Sequence, residues 1–412
     1  MDLLHIVSSI CNSSSLKEAL YKYAVSKSLL GDYKFVFASD SGPSLGFTTN
    51  KSFSSGAAVR GLFSSTNVVV IDSDTFNEMA SGTATFHMDQ SLSLDTQAVS
   101  YLRPHMHGKN HRLPSDMDEV FRFISKPNVQ IDPMPYVFEN LRNMGVDNRE
   151  KPIREILNCY EILRTIDVEH LQSAGLVRST LSEIELENST DAHLNRMRSH
   201  RADAVFYGAL VQRHRYLYAI LLKMVDIKLS SPSSSIDEMT MKFLEFCDKE
   251  LACMFGREAV LARAYFLRGQ NLTFFGKIQK NKSDILDALD NMAWDLYHVR
   301  QLEETMTLNV SPSARYLLPA LLTFDKRFIE VMDLYPLKSI AYRKDGGQIL
   351  PFHATDLPSA LASSDEQKQS IFQRFYSDHA RASRSSRLEK ARDRLGETVE
   401  TLKASVRKAA CV

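Results

Sequence analysis

Apolar and polar positions follow two different periods along the chain. Three- and four-residue spacing of apolar side chains predicts helices through most of residues 150–280 and again over 284–302. Short unbroken apolar runs are typical of buried strands. They occur at Tyr33–Ala38, Asn67–Asp72, Ser91–Leu94 and Leu317–Leu322. The pattern therefore predicts an α/β protein with a large all-helical block between its third and fourth strands.

The last part of the chain, Gln367–Ala410, is predicted to form one long helix. Its first half is strongly basic, and apolar residues such as Leu395 and Leu402 recur in it at helical spacing. An apolar seam on a charged helix is typical of helices that pair with another helix. We expect a protein partner, or a second copy of the chain, to assemble through this seam, although the basic half also suits nucleic acid.

Length, charge and cysteine usage narrow the class of protein. A chain of 412 residues is long enough for two or three domains, and a net charge of +0 excludes binding to polyanions by bulk charge alone. The five cysteines show no metal-binding or disulfide spacing. The N-terminus has no basic region before its apolar residues, and the longest apolar stretch is interrupted by charges. We expect a cytoplasmic protein without membrane contacts.

Two of the predicted strands end in a hydroxyl and an acid. Asp95 and Thr96 follow the third strand, and Thr323 and Asp325 end the fourth. Acids at the carboxyl ends of parallel strands lie where α/β sheets bind their ligands. We therefore expect the two strands to lie side by side, so that the acids share Mg²⁺ or Mn²⁺, ions that prefer charged oxygen ligands.

Three short motifs resemble those of PIN-domain ribonucleases. They are L-D-T-x-x-x-S-Y-L at 94–102, P-Y-V-F-E at 135–139 and L-T-F-D-K-R-F at 322–328. The resemblance covers about residues 92–145 and 284–340. It implies a PIN-like α/β/α parallel sheet in which three or four acids bind divalent metal. It also implies endoribonuclease activity on single-stranded RNA, which leaves a 3′ hydroxyl and a 5′ phosphate.

The resemblance carries over four acidic positions and two supporting hydroxyls. The acids are Asp95, Glu139, Asp295 and Asp325, and the hydroxyls are those of Thr96 and Thr323. The third acid stays open among Asp284, Asp287, Asp290 and Asp295. We prefer Asp295 because Trp294 beside it would anchor the register of the helix.

Each acid also has a simpler interpretation. Asp95 can cap the helix that follows its strand, and Asp325 can begin another helix. Glu139 and Asp295 can be solvated residues of helices that carry many charges. The sequence leaves these alternatives open.

Basic residues near the proposed site can contact RNA phosphates. Arg103, Lys109 and Arg112 lie in the segment that follows the first acid, and Arg213 and Arg215 lie on a helix of the large block. The alternative is that these side chains form solvated surfaces.

The predicted domain organisation places the helical block as an insertion into the PIN-like sheet. The segments are an N-terminal α/β region at 1–90, PIN-like halves at 91–149 and 281–350, the insertion at 150–280 and a C-terminal tail at 351–412. The predicted function is that of a metal-dependent endoribonuclease.

Two other functions remain open. One is a non-catalytic helical scaffold that assembles through the C-terminal helix. The other is a phosphatase, because Asp72 and Asp74 loosely resemble the D-x-D opening of the haloacid-dehalogenase type.

Overall fold

The computed structural model describes residues 3–39, 49–65, 67–83, 88–109, 111, 113–146, 148–280, 282, 284–308, 314–345 and 349–410. The chain divides into two compact units. The first comprises Met1–Tyr207, Arg300–Ile329 and Leu337–Phe352. The second comprises Gly208–Val299, Glu330–Pro336 and His353–Val412.

The first unit contains all the strands that the structure describes. They are β1 (Tyr33–Ser39), β2 (Asn50–Ser52), β3 (Ala58–Gly61), β4 (Asn67–Ile71), β5 (Met88–Leu94), β6 (Ile131–Asp132), β7 (Tyr316–Thr323), β8 (Leu337–Arg343) and β9 (Ile349–His353). Its helices are α1 (Leu3–Cys11), α2 (Leu16–Ser26), α3 (Ser73–Ser81), α4 (Thr96–Met106), α5 (Met117–Ile124), α6 (Met134–Asn140), α7 (Glu150–Arg164), α8 (Val168–Ala174) and α9 (Glu183–Ala202).

Two sheets form from these strands. One has the order β4-β1-β8-β9, with β1 antiparallel to both β4 and β8. The other has the order β2-β3-β7-β5-β6, in which β5 is parallel to β7 and β6 while β3 is antiparallel to β2 and β7. The α/β class is confirmed. The prediction of an all-parallel sheet is wrong for the five-stranded sheet. The antiparallel β2–β3 hairpin extends its parallel strands β7, β5 and β6.

Segments far apart in the chain share these sheets. β1 pairs with β8, and β3 pairs with β7, so residues before 91 and residues after 315 build the same sheets. The central strands are buried, since β7 is buried along its whole length and Phe35 and Val36 of β1 are fully buried. The apolar strand runs in the sequence follow from this burial on both faces.

The second unit is helical. Its helices are α10 (Ala204–Ser230), α11 (Ile236–Lys249), α12 (Gly256–Arg268), α13 (Ile285–Thr305), α14 (Lys326–Leu334), α15 (Leu357–Leu361), α16 (Asp365–Ile371) and α17 (Asp378–Ala410), of which α10, α13 and α14 also reach into the first unit. The helical period read from the sequence is confirmed here. In the described part of the chain, no helix is both long and apolar enough to cross a membrane.

The C-terminal segment differs from the single helix that was predicted. A turn of π-helix at Phe372–Tyr376 follows α16, and extended backbone at Ser377 separates it from α17. The apolar seam of α17 is buried, and Ser405 on this helix donates a hydrogen bond to the Asp226 carboxylate of α10 at 2.6 Å. The buried residues of the seam therefore pack within the second unit.

Candidate functional site

The two strand ends that carry the predicted acids lie next to each other. β5 and β7 run parallel in a continuous register from Met88 opposite Tyr316 to Leu94 opposite Leu322. The backbone N–H of Asp95 then donates to the carbonyl of Leu322 at 3.1 Å. Neighbouring strands are about 4.8 Å apart. The prediction that these strands pair side by side is confirmed, and both acids follow the same edge of the sheet.

Each of these acids also caps a helix. The Asp95 carboxylate is mostly buried and accepts a hydrogen bond from the N–H of Ala98, in the first turn of α4. The Asp325 carboxylate accepts from the N–H of Arg327 at 2.8 Å through Oδ1, and the Arg327 Nε lies 3.6 Å from the same oxygen. Among the described residues, Asp325 Oδ2 has no hydrogen-bond partner.

The two supporting threonines have different surroundings. Thr323 is fully buried, and its hydroxyl accepts a hydrogen bond from the backbone N–H of Asp325 at 3.0 Å. This contact fixes the chain where Asp325 leaves the strand. The hydroxyl of Thr96 is buried and has no hydrogen-bond partner within the described part of the chain. Thr323 therefore positions an acid, as predicted for a supporting residue.

The other two predicted acids are placed differently. Glu139 is half-buried on α6, which follows β6, the parallel neighbour of β5. Asp295 lies on α13 in the second unit. It does not follow either of the paired strands, β5 and β7, that bring Asp95 and Asp325 to the same sheet edge. Trp294 beside it is buried and stacks on His214 with ring centroids 4.3 Å apart, as expected for a residue that anchors the helix.

Sequence reasoning missed two acids of the first unit. Asp132 ends β6 and accepts hydrogen bonds from the hydroxyls of Ser91 and Ser93 on β5. Asp116 is 1% exposed and accepts from the backbone N–H of Ala57 at 2.9 Å, which ties it to the β2–β3 turn. The signal for Asp132 is its place directly after a short apolar segment and before a proline. Asp116 has no comparable local signal.

The β2–β3 turn also brings a cation to this edge. Lys326 directly follows Asp325, and the end of its side chain lies against Gly56, where it would meet a Cβ atom. Gly56 has a φ of +105°, which L side chains rarely adopt. Glycine is therefore favoured here by the backbone conformation, whereas the end of the Lys326 side chain could move to make room for a Cβ atom.

The predicted RNA-contacting residues have mixed surroundings. Arg103 is exposed and pairs with Glu155 at 2.5 Å, and Lys109 is exposed. Arg213 and Arg215 are exposed on α10 in the second unit. Arg112 lies outside the described residues. All four described side chains are on the surface, where both the RNA contact and the solvated surface remain possible interpretations.

The aspartates of the phosphatase hypothesis follow β4. Asp72 is 1% exposed, and its carboxylate accepts from the N–H of Thr75 at 2.8 Å as the cap of α3. Burial would raise the pKa of Asp72, but the hydrogen bond from the backbone N–H of Thr75 helps to hold it below its usual value. A carboxylate buried in this way is poorly placed to attack a substrate, and its geometry is that of a helix cap.

The chemistry of the site is that of hard oxygen ligands. In the described part of the chain, no three or more His, Cys, Asp or Glu side chains group closely enough to hold a metal ion. Mg²⁺ is usually held by one or two carboxylates, with waters and substrate phosphates completing its ligands. Asp95 and Asp325 fit this need for one or two carboxylates, and Oδ2 of Asp325 has no hydrogen-bond partner among the described residues.

Comparison with family models, with curated proteins and with solved structures found no match to this chain.

Proposed function

We propose that this protein is a metal-dependent nuclease, an endoribonuclease that hydrolyses single-stranded RNA on a PIN-like arrangement of parallel strands. The observation that carries the proposal is the position of Asp95 and Asp325 after the ends of paired parallel strands. The order β7-β5-β6, with Glu139 on the helix after β6, supports the PIN-like comparison. The antiparallel β2–β3 hairpin is an addition to that arrangement.

Asp95 and Asp325 would hold Mg²⁺ or Mn²⁺ in this proposal. When bound, such an ion lowers the pKa of a coordinated water and neutralises charge on the phosphodiester. Thr323 fixes the backbone of Asp325 through their 3.0 Å hydrogen bond. Glu139 on α6, in the same unit, would complete the acidic surroundings. The negative charges of Asp95 and Asp325 would attract the cation.

The substrate class follows from cations beside the acids. Lys326 and Arg327 come directly after Asp325, and Arg103 lies on α4 after Asp95. Lys109, which is exposed in the segment that follows α4, extends this basic character within the first unit. Phosphate contacts position a nucleic acid without reading its sequence. These contacts suit a nucleic acid with little sequence preference, and single-stranded RNA is the substrate that the PIN-like resemblance implies.

The test is an RNA cleavage assay with the wild-type protein. In Mn²⁺ we expect labelled single-stranded RNA to give fragments with 5′ phosphate ends, and we expect excess chelator to stop the reaction. A generic phosphomonoester should not be hydrolysed. Absence of metal-dependent cleavage would contradict the proposal. Hydrolysis of the phosphomonoester that is lost in Asp72→Asn would instead favour the phosphatase.

A further inference from the structure

A cleft of about 640 Å³ lies in the first unit on the amino-terminal side of β6. We name it the β6 cleft. Its walls are the segment between α5 and β6, the carboxyl end of α7, the start of α8 and the residue Thr180. Gln130 in this wall accepts a hydrogen bond from the backbone N–H of Leu92 at 2.7 Å, so the cleft is attached to β5. A cleft of this volume is large enough for a small organic molecule.

The lining of the β6 cleft is positively charged. Lys126 and Arg164 line it, and the lining contains no Asp or Glu among the described residues. Lys126 is exposed, so its ammonium group can reach a ligand. The apolar side chains of Ile124 and Leu163, which are 3% and 2% exposed, form part of the same lining. The cleft therefore combines cationic and apolar surface, and the carboxylate that pairs with Arg164, that of Glu161, is not part of its lining.

The guanidinium of Arg164 is held in a fixed orientation. Its Nη2 donates to the buried carboxylate of Glu161 at 2.6 Å, and its Nε donates to both oxygens of the same group at 3.2 Å. Nη1 makes no hydrogen bond to any residue that the structure describes. A side chain fixed in advance loses little entropy when it binds an anion. Arg164 therefore offers a pre-oriented donor beside the cleft.

We propose that the β6 cleft binds a small organic anion, with its acidic group between Lys126 and Arg164 and its apolar body against Ile124 and Leu163. Charge complementarity favours this class, because an acidic group can accept from the exposed Lys126 ammonium and from the Arg164 Nη1, which the pair with Glu161 leaves without a hydrogen bond, and an inorganic anion would leave the apolar wall uncovered. The binding site goes beyond the proposed nuclease activity. It belongs to the segment that precedes β6, whereas Asp95 and Asp325 follow their strands.

The test uses two dyes that share one ring system. Anilinonaphthalene sulfonate carries an acidic group, and phenylnaphthylamine lacks it. We expect the full-length protein to bind the sulfonate, and we expect Lys126→Glu to raise the Kd for the sulfonate at least about 10-fold, or about 1.4 kcal/mol. The Kd for phenylnaphthylamine should change less than about 2-fold, because that dye has no charge to repel.

The matched control is Lys17→Glu, which makes the same charge change at another exposed lysine of the first unit. Lys17→Glu should leave the Kd for the sulfonate at the wild-type value. A general effect of net charge would instead raise this Kd in both Lys126→Glu and Lys17→Glu. Fluorescence titration measures both dyes. The proposal is overturned if Lys126→Glu binds the sulfonate as the wild type does, if Lys17→Glu weakens binding equally, or if the wild type binds no sulfonate.

Discussion

Replacing both strand-end acids with asparagine, Asp95→Asn with Asp325→Asn, is expected to lower the rate of Mn²⁺-dependent RNA cleavage by about 1,000-fold, which corresponds to about 4 kcal/mol of transition-state stabilisation. The reason is the loss of two negative charges that hold the cation. The measurement is the initial rate at which labelled single-stranded RNA is cleaved at saturating Mn²⁺, followed by gel electrophoresis or fluorescence.

Asparagine is chosen because it separates the two roles of these residues. Asparagine caps helices about as well as aspartate, so α4 and α14 should keep their first turns. Stability should change by less than about 1 kcal/mol at each position, mainly through the helix dipole. The matched control is Asp167→Asn, since Asp167 caps α8 in the same way by accepting from the N–H of His170 at 2.9 Å. A double variant that cleaves RNA like this control would show that the acids act only as caps.

Replacing Glu161 with glutamine is expected to destabilise the first unit by about 3 kcal/mol at neutral pH. Glu161 is fully buried on α7 and accepts hydrogen bonds from Arg164 and from His193 Nε2, the latter at 2.9 Å. Burial would raise the pKa of Glu161, but these hydrogen bonds outweigh it and hold the pKa at about 2. The variant leaves Arg164 and His193 without their anionic partner.

The pH dependence of this effect has a definite sign. The folded pKa lies below the usual value of 4.5, so the ionised carboxylate contributes its full stability above about pH 4.5. That contribution is lost as the pH falls towards 2. The difference between wild type and Glu161→Gln should therefore shrink from about 3 kcal/mol at pH 7 to about 1 kcal/mol at pH 2.5.

Urea unfolding followed by far-ultraviolet circular dichroism measures this difference. The single tryptophan, Trp294, belongs to the second unit, so its fluorescence does not report on α7. The control is Glu155→Gln on the same helix, where Glu155 pairs with Arg103 at the surface and should contribute less than about 1 kcal/mol. Equal penalties for the two variants, or a Glu161→Gln penalty that does not depend on pH, would contradict this account.

Local pattern was sufficient for much of the fold. The apolar runs at β1, β4 and β7 predict strands because strands buried on both faces need little polar sequence, and the end of β5 is predicted by the buried Leu92 and Leu94. The same runs predicted the pairing of β5 with β7, since both end in an acid at the carboxyl edge. The β2–β3 hairpin was missed because Asn50–Gly61 is rich in small and polar residues, and its place in the sheet depends on pairing with β7.

The site was only partly predictable for a related reason. Asp95 and Asp325 follow strands whose neighbours can be inferred, whereas Asp116 reaches the β2–β3 turn through contacts that no local pattern encodes. Asp295 was chosen by its helix and by Trp294, and a helical position alone does not bring an acid to a strand end. The seam of α17 was read as an outer surface, and its burial depends on helices more than 100 residues earlier in the chain.

The most direct measurement is Mn²⁺ binding by isothermal titration calorimetry, with the wild type, Asp167→Asn and the variant that combines Asp95→Asn with Asp325→Asn. The account predicts the same Kd for the wild type and Asp167→Asn, and a Kd at least about 100-fold higher for the double variant, because only the double variant loses both carboxylates at the sheet edge. If the double variant binds Mn²⁺ as tightly as the wild type does, the two strand-end acids do not form a metal site, and the proposed nuclease loses its basis.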